Sequence, residues 1–352
     1  MSNKHFHIAD RQIGGGAPCF IIAELSANHA GQKEVALETV RAAKRAGADA
    51  IKLQTYRADT ITLDCSSEDF IIRQGTVWDG RKLFDLYEEA FLPWEWHKDI
   101  FDLAEKEGLI CFSSPFDPSA IELLESLNAP AYKIASFEIT DIPLIRLTAS
   151  LGKPIIISTG IASKEDIDLA VATCLETGNQ DIALLKCTSS YPAPIDEANL
   201  LMIPELADRY NVVTGLSDHT MGSVVPIVSV ALGGAIIEKH FILDKSIGGP
   251  DAAFSMDVAE FSEMVEQVRA AESSLGSVNY DLSEKATRSR EFSRSLYVAE
   301  DVKAGDAISY ANVRSVRPGF GLPPKHLDEI IGKTFVQDCE KGTRMDWPLI
   351  AE

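Results

Sequence analysis

The chain has 352 residues, 45% of them hydrophobic, which is ordinary for a globular protein and enough for one large domain plus a small one. Its net charge of −20, from 33 basic and 53 acidic side chains, argues against nucleic acid or an anionic membrane as a main partner. No apolar run approaches a membrane span, and MSNKHFHIADRQIGGG lacks the apolar core of a signal peptide, so a cytoplasmic location is expected.

After this short Gly-rich start, apolar strand-like runs recur, each followed by a helix-like segment. The strands expected are FIIAE (20–24), ADAIKLQ (48–54), LICFSS (109–114), AYKIAS (131–136), PIIIST (154–159), IALLKC (182–187), NVVTGLS (211–217) and GAIIEKH (234–240). Between them, Ala36, Val40, Ala43 and Gly47 form a helical stripe closed by glycine. HKDIFDLAEKEG ends at Gly108, and SKEDIDLAVATCLETG has Ser163 as an N-cap with Asp166 three residues on. Eight strands alternating with helices predict a (β/α)8 barrel, the TIM-barrel fold of the α/β class. No G-x-G-x-x-G follows the first strand to favour an open doubly wound sheet. The run 55–97, with TVWDGRKLFDLYEEAFLPWEWH, exceeds an ordinary connection and reads as a lid or an interface.

VAEFSEMVEQVRAAESSLG (258–276) reads as the last barrel helix. Short strand-like pieces follow, with a tight loop expected around Gly305 in EDVKAGD. The expected domains are a barrel over 1–280, a linker over 281–294 and a small β-rich domain over 295–352. Residues 285–352 carry 11 basic and 10 acidic side chains, so residues 1–284 hold −21. The basic leading edge of this tail is either a solvated linker or a surface that docks on an acidic body.

Six cysteines, at 19, 65, 111, 174, 187 and 339, show no paired metal spacing and read as buried thiols. In a barrel of this type, chemistry sits at the C-terminal strand ends. Those ends carry Glu24, Lys52 with Gln54, Ser114, Lys133 with Ser136 and Glu138, Ser158, the KCTSSYP segment with Ser189 and Tyr191, Ser217-Asp218-His219, and Glu238-Lys239-His240. A lysine buried in a strand needs a counter-charge, and a bound phosphate or carboxylate would supply one. Lys52, Lys133 and the serines at 114, 136, 158 and 217 therefore read as an anion cradle. His219 and His240 end adjacent strands, close enough to share one divalent ion such as Mn²⁺ or Mg²⁺. The other reading of that pair is two hydrogen-bonded histidines.

FIIAELSANHAG, ADAIKLQTY, CFSSPFD, YKIASFEITD, STGIAS, KCTSSYPAP, GLSDHT and IEKHFILDKS, in that order, resemble the sialic acid synthase family. The tail segments SLYVAEDVKAGD and VRPGFGL resemble the antifreeze-like (SAF) domain of the same nonulosonic acid synthases. AELSANHAG, the insertion and FSRSLY with SVRPGFGL point to the pseudaminic branch. The resemblance implies condensation of phosphoenolpyruvate with 2,4-diacetamido-2,4,6-trideoxy-L-altrose in its open-chain form, giving a nonulosonic acid and phosphate by C–O cleavage. It implies that Lys52, Ser114, Lys133, Ser136, Ser158, Ser189 and Ser217 hold phosphoenolpyruvate, and that His219 and His240 bind the metal. Mn²⁺ is the first choice, with Mg²⁺ or Co²⁺ as alternatives. Glu24 would move a proton or stabilise charge at C2, and Gln54, Glu138, Tyr191 and Asp251 would contact the sugar. Arg317 would reach it from a partner subunit, because the family's SAF domain caps the partner's barrel in a homodimer. Ser189 stands where sialic acid synthases proper carry Asn, and GGPDAAF (248–254) replaces their Pro-Gly-Pro-Asp turn. Both differences leave the sugar open, so N-acetylneuraminate or legionaminate synthesis by the same mechanism is the alternative. A non-catalytic sugar- or ice-binding protein is the third reading, and the lysines and histidines gathered at one mouth argue against it.

Overall fold

The computed structural model describes residues 4–351 except 74, 76 and 77, so Gln74, Thr76 and Val77 of the expected 55–97 insertion lie outside the described residues. The chain divides into two compact units, Met1–Gly276 and Ser277–Glu352.

The first unit opens with a hairpin that the sequence reading missed: β1 (His5–Ile8) pairs antiparallel with β2 (Arg11–Gly14). Its alternation is strand-like, with Phe6 and Ile8 buried and His5 and His7 exposed, but one short apolar face is a weak signal next to three glycines. Eight parallel strands follow: β3 (Phe20–Glu24), β4 (Ala50–Thr55), β5 (Ile110–Pro115), β6 (Tyr132–Ile134), β7 (Ile155–Ser158), β8 (Ile182–Cys187), β9 (Val213–Asp218) and β10 (Ile236–His240). They close in chain order, β10 pairing with β3, as the strand count predicts. β6 is shorter than expected. The chain leaves the ladder after Ile134 and turns through a 3-10 segment, Ser136–Glu138, so Ser136 sits on that turn and not in the strand.

Period-two alternation sorts each strand into two packing layers. Ile21, Ala23, Ile51, Leu53 and Ile237 face outward onto Ala36, Val40, Ala43, Ile100, Phe261 and Met264 of the surrounding helices. Phe20, Ile22, Ala50, Phe112, Ile156, Leu185, Val213 and Ile236 fill the barrel interior, where Phe6, Ile8 and Ile13 of the hairpin join them. The helices end as their sequences dictate. Ser163 and Asp166 form a reciprocal capping box, as do Asp257 and Glu260, and Gly108 ends its helix at φ 70° in the left-handed region. No helix among the described residues is long and apolar enough to cross a membrane.

The second unit has its own core of Leu296, Val298, Val302, Ile308, Val313, Ile330, Phe335 and Met345. β11 (Ser295–Val298) and β12 (Val313–Val316) pair antiparallel, and single bridges such as Val302–Cys339 and Ala307–Thr334 complete a β-rich unit. Gly305, at φ 91°, lies in the loop expected there.

Between β4, β5 and the helix Trp94–Glu107 runs a buried polar chain. His97 Nδ1 lies 3.2 Å from the Pro93 carbonyl, its Nε2 lies 2.9 Å from Thr55 Oγ1, and Thr55 Oγ1 lies 2.6 Å from Ser113 Oγ. Burial lowers the His97 pKa to about 4, so the folded state holds it neutral. A histidine with a folded pKa below its unfolded value is most stabilising above the unfolded value, about 6.5, and loses that stability as pH falls toward 4. His97 should therefore cost the fold about 3 kcal/mol between pH 6.5 and 4. Urea denaturation across that range should show the loss in the wild type and a shallower slope in His97→Gln.

Candidate active site

The alternation that builds the apolar floor also places the charges. On β10, Ile236, Glu238 and His240 alternate inward, while Ile237 and Lys239 take the outer face. Above the floor, four buried ionisable groups meet. Lys52 Nζ contacts the Glu24 carboxylate and lies 3.6 Å from Glu238 Oε1, which lies at the same distance from Lys133 Nζ. Gln54 Nε2 donates to Glu24 Oε1 at 3.1 Å. The lysines thus find counter-charges in the protein's own carboxylates, a source beside the bound anion that the sequence suggests. Glu238 had been given no role. Its inward register between Ile236 and His240 was the available signal.

Burial raises the Glu24 pKa to about 7, with Glu238 adding to the shift and Lys52 opposing it. Glu238 is also opposed by burial, yet Lys133 and Lys52 hold its pKa below the usual carboxylate range. Burial works against charge on Lys52 too, but Glu238 and Glu24 raise its pKa overall. Lys133 is lowered, by burial first and by Lys52 as well. Burial thus opposes charge on Glu24 and Lys133, while the two lysines keep Glu238 ionised between them. An anion placed among them would meet two buried lysines that share Glu238.

Hydroxyls ring the cluster. Ser114 Oγ accepts from Lys52 at 3.2 Å, and Ser217 Oγ donates to Glu238 Oε1 at 3.2 Å. Ser189 Oγ donates to Ser136 Oγ at 2.9 Å, and the Ile161 amide donates to the same atom at 3.0 Å. Ser158 Oγ is buried with no hydrogen-bond partner, which leaves it available to a ligand oxygen. A Cβ at Gly160 would come within 2.2 Å of Ser189 Oγ and 2.6 Å of Ser136 Oγ, so glycine there lets three strand ends converge. Five of the six cysteines are buried, and Cys187 faces this group, its Sγ 3.8 Å from Ser189 Oγ and 3.9 Å from His219 Nδ1.

At the rim, the His219 and His240 rings stand 5.3 Å apart. His219 Nδ1 lies 2.9 Å from the Thr188 carbonyl, the contact that frees Nε2 of an imidazole as a ligand atom. His240 Nδ1 is buried without a hydrogen bond, 3.8 Å from Asp251 Oδ2. Burial and then His219 push the His240 pKa well down, keeping it in the neutral, metal-binding form. His219 differs: burial opposes its charge, but Cys187 and the Thr188 carbonyl raise its pKa overall, so it must give up its proton to serve beside His240 as a ligand to a divalent cation. Among the described residues no cluster of three or more His, Cys, Asp and Glu is arranged for a metal, so water or substrate would fill the other positions.

Asp251 is tied to the Ser26 hydroxyl and, at 3.4 Å, to the Ala27 amide. Tyr191 stacks 4.4 Å from His219, and Phe254 lies 5.0 Å from both Tyr191 and His240. Trp78 of the insertion lies 5.9 Å from Tyr191, so the insertion reaches the mouth. Glu138, on the turn after β6, is raised to about 7 by burial and has an unpartnered Oε2. Arg317 belongs to the second unit. Ser26, Phe254, Gly160 and Cys187 join the site only through tertiary contacts, which no spacing in the chain marks.

The NeuB family matches residues 39–280, and the SAF domain matches 293–350. A pseudaminic acid synthase of Campylobacter jejuni (serotype O:23/36, strain 81-176) is 53% identical, covering 92% of this chain and 94% of its own. A pseudaminic acid synthase of Helicobacter pylori is 46% identical, covering 95% of this chain and 97% of its own. The crystal structure of an N-acetylneuraminic acid synthetase from Leptospira borgpetersenii, in complex with citrate, superposes with a TM-score of 0.74 at 29% identity, covering 83% of this chain and 96% of that one.

Glu238→Gln leaves Lys133 and Lys52 sharing one carboxylate and should destabilise the protein by about 3 kcal/mol. Glu238→Gln with Lys133→Met should lose less than the sum of the single losses, by about 1–3 kcal/mol in a double-mutant cycle read from urea midpoints. Additive losses would show that the two groups do not interact.

Proposed function

The chain belongs to the NeuB family, and from that premise we propose that it makes pseudaminic acid. In this reading it condenses phosphoenolpyruvate with 2,4-diacetamido-2,4,6-trideoxy-L-altrose and water, and releases phosphate. The observation that carries the reading is the buried Lys52–Glu24–Glu238–Lys133 cluster directly beneath two metal-competent imidazoles.

Lys52, Lys133 and the hydroxyls of Ser114, Ser136, Ser158, Ser189 and Ser217 bind the phosphate and carboxylate of phosphoenolpyruvate. The two buried lysines that share Glu238 and the unpartnered Ser158 hydroxyl support this. A divalent cation held by His219 and His240, Mn²⁺ by preference, supplies Lewis-acid polarisation of the sugar aldehyde. Gln54, Glu138, Tyr191 and Asp251 orient the sugar so that its C1 faces C3 of phosphoenolpyruvate. The C2=C3 electron pair forms the new bond from C3 to that carbon, the aldehyde π pair moves onto its oxygen, which takes up a proton to become a hydroxyl, and positive charge is left at C2. Glu24, beside Lys52, stabilises that charge as a carboxylate and takes a proton from the water that adds there. The C2–O bond to phosphate then breaks. We also propose that the protein acts as a cytoplasmic homodimer in which the SAF domain of one subunit caps the partner's barrel and presents Arg317 to the sugar.

Phosphate release with Mn²⁺ should be rapid with the altrose derivative, slow with N-acetylmannosamine and the legionaminate precursor, and abolished by EDTA. Turnover with N-acetylmannosamine instead would keep the chemistry and overturn the sugar. Because Glu24 must be ionised and its pKa is about 7, kcat/KM should fall as pH drops below 7. Glu24→Gln should lose at least about 100-fold in kcat, and its residual activity should lack that acid limb. An unchanged limb in Glu24→Gln would move the assignment to another group.

A further inference from the structure

Of the three ionisable residues that end β10, two face inward and are accounted for. The third, Lys239, points the other way and is almost fully buried, with a side chain 1% exposed. Its Nζ donates to Asp218 Oδ2 at 2.5 Å and also to the Thr220 carbonyl. Asp218 in turn accepts from the Thr220 amide at 2.9 Å (Oδ1) and from the Thr220 hydroxyl at 3.1 Å (Oδ2). Asp218 and Thr220 flank His219, and Lys239 precedes His240. One ammonium group on β10 therefore ties the carboxylate that precedes the histidine following β9 to the backbone carbonyl that comes after it. β9 and β10 are already in register at Lys239–Asp218. The segment beyond, Thr220 to Ser223, is outside the ladder and needs another restraint to hold its shape.

We propose that the buried Lys239–Asp218 pair is a positioning clamp that sets His219 against His240 before any metal arrives. A buried ion pair is a poor source of net stability, because desolvation offsets its attraction, but its geometry is narrowly defined. Here that geometry fixes the Thr220 peptide and the Asp218 side chain, one on each side of His219, relative to the strand that carries His240, through bonds that touch neither ring. The Thr188 carbonyl holds the His219 ring itself, and Lys239 and Asp218 hold the backbone that carries it. Pre-setting both ligands reduces the ordering cost of binding and so strengthens a site with few protein donors. The inference rests on the metal reading above.

The test is Mn²⁺ binding followed by electron paramagnetic resonance, with the full chain and no sugar present. Lys239→Met with Asp218→Asn removes both charges together, so neither remains buried alone. The expected result is a native thermal midpoint, unchanged phosphoenolpyruvate affinity without metal, and a Mn²⁺ dissociation constant raised about tenfold or more. Mn²⁺ affinity equal to wild type, or Mn²⁺ and phosphoenolpyruvate affinity falling together with thermal stability, would overturn the clamp. Hydrogen exchange at the Thr220 amide of the metal-free wild type gives a second measurement that does not depend on the variant folding. Slow exchange, unaltered by Mn²⁺, is expected. Fast exchange that slows only with Mn²⁺ would mean that the ion orders the loop. Failure of the wild type to bind Mn²⁺ at all would instead overturn the metal reading on which the clamp depends.

Discussion

The structure depends on a shared charge layer: two lysines and two glutamates buried in the upper third of a closed barrel. Each of the four groups alone would be costly in so dry a place. Together Lys52, Glu24, Glu238 and Lys133 are tolerable, and their mutual constraint fixes the strand ends that carry them. The apolar floor of Phe20, Phe112 and Ile236 keeps water from beneath, and the serine ring crowds the sides. Glu238 is divided between the two lysines, and only Lys52 has a second carboxylate, Glu24, on which burial opposes the charge.

β9 and β10 show how one pair of strands serves two sides of a sheet. Their inward residues, Ser217, Glu238 and His240, belong to the site. Their outward residues, Asp218 and Lys239, belong to the layer between sheet and helices, where charge is normally absent. Outer faces elsewhere carry Ile21, Ile51 or Leu53. Lys186 on β8 is another outward charge, but the buried Lys239–Asp218 pair coincides with the place where the chain beyond β9 must be held still.

Much of this was legible in the sequence, for reasons that differ by element. The eight strands stood out because each is a short apolar run bounded by glycine, proline or polar residues, and β8 was read to the residue. The helices declared their ends through Ser163, Asp166 and Gly108. The polar strand ends were visible because charge interrupts apolar runs at Lys52, Lys133 and Glu238. What could not be read was which charge meets which. Lys52 pairs with Glu24 from the strand before it and Glu238 from the strand before that around the barrel, a neighbourhood that exists only on closure. The bottom hairpin was missed because Phe6, Ile8 and Ile13 are too few to announce a strand pair amid glycines. The shortening of β6 was missed because Ser136 is as compatible with a strand end as with a turn.

The hairpin at the base of the barrel has a consequence for the site above it. Phe6, Ile8 and Ile13 add to a packed apolar floor, which closes the barrel from the side opposite the strand ends. Whatever occupies the lysine–glutamate layer lies below the histidine pair and the aromatic wall of Tyr191 and Phe254. A substitution at Phe6, Ile8 or Ile13 would thus act on the site only through the packing of the floor beneath it.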